Sequence, residues 1–391
     1  MTKTSLISNA ASGAAALWNG AARLRVRLYR SGLLRQERLA AKVISVGNIA
    51  WGGTGKTPFT IWLARRLQDG RLRVSILTRG YRRASRDRVQ LILPGTLPEN
   101  AADAGDEAQL FLRNLRSLRI PVGVSSSRYE AGKLLESQFP VDVHLLDDGF
   151  QHLALHRDLD LVLVDAENPW GGRGPFRSLL RESRAALRRA DAILLTRCEL
   201  LPSVSGEDSL ESLRAAIQRF SPSAPCFTAR TQLLRLVEWQ GNHALEPEEF
   251  RTRRPLAFGA LGNPSAFFQM LAREGISTSG QKTFPDHYRY SMSDLGSLEK
   301  AAGEAGADCL LTTEKDLTNL PANAHLRLPL YWAAIELSVE EEPRLLQWIW
   351  DRLELPGAPP ELQPEEARNS QAQFATEGRP GRRGFDRLTT E

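Results

Sequence analysis

The glycine-rich segment Ala50–Thr57 constrains the fold of this sequence more than any other feature. It follows the apolar run 42–49, which is typical of a buried strand, and it precedes 61–67, whose spacing predicts a helix. In this context the glycines let the backbone turn so that successive N–H groups face phosphate oxygens at a helix N-terminus. The segment therefore predicts a strand–loop–helix unit of an α/β fold that binds nucleoside phosphates.

The side chains of this loop indicate how a nucleotide is held. Lys56 is expected to reach the β and γ phosphates, and the hydroxyl of Thr57 is the expected ligand of Mg²⁺. Alanine replaces the first glycine of the usual pattern. The predicted nucleotide-binding residues are Ala50, Trp51, Gly52, Gly53, Thr54, Gly55, Lys56 and Thr57. The loop alone does not specify which group receives the γ-phosphate.

Short apolar runs alternate with helical patterns along the chain, which is the rhythm of βαβ units on a parallel sheet. Buried strands are predicted at 42–49, 73–78, 141–146, 158–166 and 190–197, with helices at 61–67 and 106–115. We divide the chain into an N-terminal helical region at 1–41, a nucleotide-binding domain at 42–224, an extended linker at 225–253, a smaller α/β domain at 254–354 and a disordered tail at 355–391.

The N-terminal region has a distinct charge pattern. Residues 1–42 contain eight basic residues and one acidic residue, so the rest of the chain is close to neutral. One helical face would carry Leu17, Trp18, Ala21, Leu24 and Leu28, and another Arg23, Arg27 and Arg30. Such a basic amphipathic helix suits an anionic membrane surface, although it also fits a surface helix packed on its own domain. Its apolar stretch is too weak to span a bilayer.

Composition excludes several classes of protein. With 42% hydrophobic and 25% charged residues among 391, the chain has the balance of a soluble globular protein. The three cysteines, Cys198, Cys226 and Cys309, are too widely spaced for a disulfide framework or a CxxC zinc site, which favours a reducing, cytosolic compartment. Because the body of the chain is nearly neutral, its charge does not indicate a nucleic-acid partner.

Acidic and histidine residues suggest further site groups. Asp147 and Asp148 end a predicted buried strand, where α/β sheets build their sites, and they are candidate Mg²⁺ ligands, with a turn or helix cap as the alternative. His152 follows four residues later and fits either a ligand contact or a structural turn. Asp106 alone would be interpreted as a helix N-cap, and His287 alone as a loop histidine. Composition does not pair these last two.

Seven segments taken together resemble the lipid A 4′-kinases, the tetraacyldisaccharide 4′-kinase family, from about residue 15 to 350. They are VGNIAWGGTGKTP (46–58), LTRGYRR (77–83), GDEAQL (105–110), LDDGFQH (146–152), GNPSAFF (262–268), FPDHYRY (284–290) and TTEKDLTNL (312–320). The resemblance implies ATP-dependent phosphorylation of the 4′-hydroxyl of a tetraacylated glucosamine disaccharide 1-phosphate. It also implies a location at the cytoplasmic face of a bacterial inner membrane and two Rossmann-like lobes with the site in their cleft.

The resemblance further assigns roles to residues. It places the catalytic aspartate on Asp106, followed by Glu107 of the same GDE segment, and the histidine paired with that aspartate on His287. The aspartate pair of the family falls on Asp147 and Asp148, and its Leu-Arg-Glu falls on Leu180, Arg181 and Glu182. Two departures from the family pattern are the segment 169–183 and Arg82, which stands where a glycine is usual.

Two other functional classes fit part of this pattern. A membrane-associated ATPase that drives assembly, or a nucleotide-sensing adaptor, would also keep Lys56 and Thr57. Neither class needs a candidate base such as Asp106 or a second lobe that carries a histidine. The destination of the γ-phosphate discriminates the three: a lipid, water, or no transfer.

Overall fold

The computed structural model describes residues 20–80, 87–93, 105–115, 118–171, 180–201, 206–241, 243–321 and 323–360. The predicted features at Leu17, Trp18 and Arg82, most of the departure at 169–183 and the tail from 361 onward lie outside the described residues. The helices are α1 (20–30, as far as described), α2 (Lys56–Asp69), α3 (Asp106–Leu115), α4 (Arg128–Gln138), α5 (Gly206–Gln218), α6 (Pro247–Phe250), α7 (Pro264–Arg273), α8 (Met292–Glu304), α9 (Glu314–Leu317) and α10 (Glu342–Leu353).

Within the described residues, 13 strands form one sheet in the order β11-β10-β12-β13-β8-β7-β6-β1-β5-β2-β4-β3, with β9 paired to β8. The strands are β1 (Lys42–Asn48), β2 (Val74–Thr78), β3 (Val89–Ile92), β4 (Val122–Ser125), β5 (Val143–Asp147), β6 (Leu159–Asp165), β7 (Ala192–Thr196), β8 (Cys226–Glu238), β9 (Ala244–Leu245), β10 (Pro255–Gly259), β11 (Gly280–Thr283), β12 (Cys309–Thr313) and β13 (Leu330–Val339). The predicted α/β fold with a mainly parallel sheet is confirmed.

The centre of the sheet positions the glycine-rich loop. Strand β1 lies between β5 and β6 and is parallel to both. Because Val46 of β1 is paired with Asp147 of β5, the carboxyl end of β5 lies beside the loop that follows β1. These strands are buried on both faces, which explains their continuous apolar sequences.

Strand β8 joins the two halves of the sheet. Its first residues, Cys226–Thr228, run parallel to β7, and Ala229–Glu238 run antiparallel to β13. The segment 225–253, predicted as an extended linker, therefore contributes β8, β9 and α6 to the ordered structure. The described residues up to Pro360 belong to one compact unit, and the division into domains remains a prediction.

The last helix packs against elements from the first half of the chain. Helix α10 buries Leu345, Ile349 and Trp350 in the apolar cluster that also contains Ile44 of β1 and Phe59 of α2. A Cβ atom added to Gly70, which ends α2, would lie 2.5 Å from the Trp350 ring. Glycine at that position therefore allows the close approach of α10 to α2.

Helix α1 is the described part of the predicted N-terminal region. Its Leu24 side chain is 57% exposed, and Arg23 and Arg27 are exposed as well. None of the helices in the described part of the chain is both long enough and apolar enough to cross a bilayer.

Candidate active site

A cavity of about 1080 Å³ lies at the carboxyl ends of the central strands. Its walls include the glycine-rich loop, parts of α1 and α3, and the segment after β7. The second half of the chain contributes residues 261–263, 286–287 and 313–315, together with side chains of β8, α7 and β13. The structure thus brings together groups that are more than 200 positions apart in sequence.

Two glycines set the shape of the loop. Gly52 has φ 108°, and Gly55 has φ 82° and caps the N-terminus of α2, so that Lys56 is the first helical residue. Both values lie in the region that glycine adopts readily and other residues rarely do. The N-terminus of α2 therefore faces the cavity, as the sequence predicts for a loop that cradles phosphate groups.

The end of β7 and the residue after it hold the loop in place. Thr196 Oγ1 donates to the carbonyl oxygen of Thr54 at 3.0 Å, and Arg197 donates to the carbonyl of Gly53. Arg197 is fixed in turn by Asp165 at the end of β6, 2.5 Å away. Arg197 was not among the predicted site residues, although its position at the end of the predicted strand 190–197 was a usable signal.

Gly262 brings the second half of the chain onto the same loop. A Cβ atom at this position would lie 2.9 Å from the backbone nitrogen of Gly53 and 3.2 Å from Cα of Gly52. It would also lie 3.3 Å from Oδ2 of Asp286. Only a residue without a side chain fits this contact without a shift of the backbone.

The first residue of the aspartate pair is buried and short of positive charge. Asp147 is 1% exposed and accepts a hydrogen bond from Thr60 Oγ1 at 3.2 Å. Burial raises the pKa of Asp147, and the carboxylates of Glu107 and Asp148 raise it further, to about 8. Glu107 itself accepts a hydrogen bond from Thr78 at 3.0 Å. The end of β5 and the start of α3 thus concentrate negative charge.

The second residue of the pair is compensated by cations. Asp148 lies 3.5 Å from Lys56 Nζ and 2.6 Å from Arg181 Nη1. Burial alone would raise the pKa of Asp148, but Lys56 and Arg181 outweigh burial and hold that pKa at about 2. The guanidinium of Arg181 also lies 5.1 Å from the ring centre of Trp51. Asp148 therefore stays ionised and links the loop lysine to Arg181.

These oxygen ligands fit the Mg²⁺ that the sequence predicts. No group of three or more histidine, cysteine, aspartate or glutamate side chains in the described ranges is arranged to hold a metal ion. Mg²⁺ requires fewer protein ligands, because it is usually held by one or two carboxylates together with substrate phosphates and water. Thr57 lines the cavity, and the pKa of Asp147, which burial and then the charges of Glu107 and Asp148 raise, would be lowered by a divalent cation beside it.

The two residues predicted to form a catalytic pair are described to different extents. Asp106 is the first residue of α3, and its side chain lies outside the description. His287 lines the cavity with its side chain 19% exposed and with φ 59°, a strained value for a non-glycine residue. Their pairing remains a prediction, although α3 and the segment that carries His287 border the same cavity.

The remaining predicted residues differ in their surroundings. Ala50 is buried and bridges to Leu180, which holds the 180–182 segment beside the end of β1. Glu182 borders the cavity, but its carboxylate is paired with Arg189 at 2.7 Å. His152 also borders the cavity, and burial together with the charge of Arg128 lowers the pKa of His152 to about 3. His152 is therefore neutral near pH 7.

The cavity wall contains a further buried cation, Arg128, that was not among the predicted site residues. Arg128, the first residue of α4, is 6% exposed, and its Nε atom has no hydrogen-bond partner. Among the described residues it forms no ion pair, and burial together with Arg79 lowers the pKa of Arg128 to about 10. An arginine at a helix start is usually a surface residue, so the sequence carried no signal for its burial.

Comparison with known proteins connects this geometry to a family. A family model described as tetraacyldisaccharide-1-P 4′-kinase matches residues 10–354. The tetraacyldisaccharide 4′-kinase of Syntrophobacter fumaroxidans is 38% identical over 345 residues, which cover 85% of this chain and 87% of that protein. The enzyme of the same name from Geobacter sulfurreducens is 37% identical over 326 residues, covering 83% of this chain and 87% of that protein.

A solved structure agrees with these sequence matches. The crystal structure of LpxK from Aquifex aeolicus in complex with ATP superposes with a TM-score of 0.68 at 30% sequence identity. The match covers 88% of this chain and 99% of that chain. The resemblance noted from the sequence motifs is therefore confirmed, and the chain belongs to the tetraacyldisaccharide 4′-kinase family.

Proposed function

We propose that this protein transfers the γ-phosphate of ATP to the 4′-hydroxyl of a tetraacylated glucosamine disaccharide 1-phosphate, which yields lipid IVA. One observation carries the proposal: a single cavity is lined by the glycine-rich loop, by the acidic start of α3 and by His287 from the second half of the chain. The family membership of the chain supports the same reaction.

The loop and its neighbours would bind the triphosphate. Backbone N–H groups from Gly52 to Lys56 and the N-terminus of α2 offer hydrogen bonds and a positive dipole end to phosphate oxygens. Lys56 now contacts Asp148 and would neutralise charge on the β and γ phosphates. Because phosphoryl transfer depends mainly on positioning and charge neutralisation, this wall supplies a large part of the catalysis.

Thr57, Asp147 and Asp148 would hold Mg²⁺. When bound, the ion neutralises charge on the transferred phosphoryl group. Asp147 must be ionised to act as a ligand, and because its pKa is raised in the metal-free protein, binding of Mg²⁺ there would compete with a proton and depend on pH.

The acceptor hydroxyl requires a group that removes or orients its proton. We assign this role to Asp106 at the start of α3, with His287 holding its carboxylate. Glu107, directly after Asp106, contributes charge to the same wall. Because Asp106 and His287 belong to different halves of the chain, approach of the two halves would assemble the pair and exclude water.

The lipid acceptor places the reaction at a membrane. Helix α1 contributes Ala22 and Arg25 to the cavity wall and exposes Leu24 to the outside. The neighbouring Leu33 is 75% exposed. We propose that this surface lies on the anionic cytoplasmic face of the bacterial inner membrane, where both ATP and the acylated disaccharide 1-phosphate are accessible.

The experiment that tests the proposal follows the γ-phosphate. The purified protein is incubated with γ-labelled ATP, Mg²⁺ and the disaccharide 1-phosphate in detergent micelles, and the label in lipid and in inorganic phosphate is measured. We expect label in the lipid, and none above background with Lys56→Ala. Label in inorganic phosphate alone would indicate an assembly ATPase, and no release would indicate a nucleotide-sensing adaptor.

A further inference from the structure

Lys315 stands beside the histidine that the proposed mechanism uses. Its Nζ atom donates a hydrogen bond to Oδ1 of Asp286 at 2.7 Å and lies 3.4 Å from Nε2 of His287. All three residues border the cavity. Lys315 belongs to the segment TTEKDLTNL, which marks the family resemblance but has no role in the mechanism described so far.

The chemistry of this contact defines the state of the histidine ring. A lysine ammonium has three N–H donors and no acceptor, so Nε2 of His287 can only accept from it. An accepting nitrogen carries no hydrogen, and the ring hydrogen of the neutral imidazole must then be on Nδ1. We propose that Lys315 is a positioning residue that fixes His287 as the neutral Nδ1–H tautomer by donating to its Nε2 atom.

Asp286 explains why a lysine is needed at this place. Its Oδ1 atom lies 3.9 Å from Nε2 of His287, close enough to attract a hydrogen on that nitrogen. Lys315 occupies the same carboxylate oxygen at 2.7 Å and presents a donor to the ring instead. Without Lys315, the Asp286 carboxylate would accept from an Nε2–H group, and the ring hydrogen would leave Nδ1.

The residues on either side of Lys315 fix its position. Asp316 is fully buried and accepts hydrogen bonds from the Ala260 backbone and from Tyr290 Oη, both at 2.8 Å. Glu314 accepts a hydrogen bond from Asn114 of α3 at 3.0 Å. These two flanking side chains thus connect α9 to the loop after β10, to the segment that follows His287, and to the helix that begins with Asp106.

The functional consequence rests on the proposed reaction. An Nδ1–H group is a donor that can hold the carboxylate of Asp106 in place without removing its ability to accept the proton of the acceptor hydroxyl. The opposite tautomer would present a lone pair at Nδ1 and would repel that carboxylate. Lys315 would therefore affect turnover while leaving the nucleotide loop unchanged.

The tautomer can be measured directly by ¹⁵N NMR on the full-length protein labelled at its six histidines. Signals of His287 are assigned by their absence in His287→Gln. We expect a protonated Nδ1 and an unprotonated Nε2 in the wild-type protein, and transfer of the hydrogen to Nε2 in Lys315→Met. A wild-type ring with its hydrogen on Nε2 would overturn the proposal without reference to any variant.

Kinetics provide the second readout. For Lys315→Met we expect kcat to fall about 10-fold or more, part of the roughly 10²–10⁴-fold that a positioned acid–base group contributes, while KM for ATP changes by less than about twofold. Lys315→Arg keeps N–H donors and should lose markedly less. Lys300→Met, which alters a lysine that is 80% exposed on α8, should behave as wild type. An increase in KM for ATP at unchanged kcat would instead make Lys315 a nucleotide ligand and overturn the proposal.

The two tests separate this inference from the proposed function. If the wild-type protein transfers no phosphate to the lipid, the proposed function fails, whereas the tautomer measurement still decides the role of Lys315. If transfer is normal and Lys315→Met retains both the tautomer and kcat, only the inference about Lys315 fails.

Discussion

At the scale of single residues, the family resemblance predicts that Asp106 and His287 form a catalytic pair. If the two act as one catalytic unit, the losses in kcat from Asp106→Ala and His287→Ala should be strongly non-additive. The double variant should then be scarcely slower than Asp106→Ala, and all forms should still bind ATP. Rate losses that multiply would show that the two residues act independently.

Asp147 provides a prediction about pH. Its pKa in the folded protein, about 8, lies above the ordinary aspartate value of 3.8. Between pH 3.8 and about 8, the folded state therefore keeps a proton that the unfolded state has released. The contribution of Asp147 to the free energy of unfolding is complete below about pH 4 and is lost as the pH rises through 8. In the absence of Mg²⁺ and nucleotide, Asp147→Asn should therefore be more stable than wild type at pH 8.

The measurement is the midpoint of thermal unfolding with chelator present, at pH 5 and at pH 8. We expect the midpoint of Asp147→Asn, relative to that of wild type, to rise by a few degrees from pH 5 to pH 8. The variant should also have lost Mg²⁺-dependent transfer. An equal difference at both pH values would mean that Asp147 is already ionised in the folded protein. Asp148→Asn is the matched comparison. Because the pKa of Asp148 is held low, its ionised carboxylate stabilises the folded protein, and Asp148→Asn should lower the midpoint of unfolding.

At the scale of secondary structure elements, a buried polar network connects β2, β5 and α4. His144 is fully buried, with Nδ1 2.6 Å from Ser75 Oγ and Nε2 3.3 Å from Glu136 Oε1. The same Glu136 oxygen accepts the backbone N–H groups of Ala40 and Ala41 at 2.8 Å, which ties the chain before β1 to α4. With no exposed surface on His144 or Ser75, this arrangement stabilises the fold and has no access to substrate.

Burial lowers the pKa of His144, although Glu136 opposes the shift. Because the unfolded state takes up a proton near pH 6.5 and the folded state does so only at lower pH, the free energy of unfolding should decrease as pH falls from 6.5. Urea unfolding at pH 7.5, 6.5 and 5.5 should show a smaller decrease for His144→Gln than for wild type. His243→Gln, at an exposed position, should keep the wild-type slope.

Helix α1 is the element that we expect to contact the membrane. Each basic residue near an anionic surface contributes about 1 kcal/mol, so Arg23→Glu combined with Arg27→Glu should weaken binding to phosphatidylglycerol-containing vesicles by at least 10-fold. Vesicle co-sedimentation at increasing salt measures this loss, because screening should release the wild-type protein progressively. Lys300→Glu on α8 is the control. Binding that is independent of both charge and salt would favour a mainly apolar anchor.

The sequence predicts strands best where both faces of the strand are buried. Strands β1, β5, β6 and β7 are buried on both faces, so they read as continuous apolar runs with the glycine-rich loop at a fixed end. Strand β8 mixes buried and exposed positions because it changes partner from β7 to β13, and its pattern indicated only extended structure. The pattern of α10 predicts an apolar face without specifying that the face packs on α2.

The residues of the candidate site also differ in how far the sequence predicts them. Residues 50–57 and the pair Asp147–Asp148 are recognisable because their backbone context defines their chemistry. Arg128 and Lys315 are not recognisable in this way, because their importance depends on what the fold places next to them. For Arg128 that is burial in the cavity wall, and for Lys315 it is the contact with His287.

At the scale of the whole molecule, the cavity depends on how closely the second half of the chain approaches the glycine-rich loop, and Gly262 is the point of contact. Alanine there would place a Cβ atom 2.9 Å from the nitrogen of Gly53, so one backbone must move away from the other. A displacement of the segment 261–263 also displaces Asp286, whose carboxylate lies 3.3 Å from the same Cβ position, and with it His287.

We therefore expect Gly262→Ala to lower kcat by about 10- to 100-fold, since misplacement of a reacting group by about 1 Å can cost that much. The pairing of β8 with β13, which joins the two halves of the sheet, does not involve residue 262, so the midpoint of thermal unfolding should change little. Gly296→Ala is the matched control, because a Cβ atom at that position in α8 meets nothing within 4 Å and alanine favours the helix. Normal turnover by Gly262→Ala would show that the close contact between Gly262 and the loop is not needed for transfer.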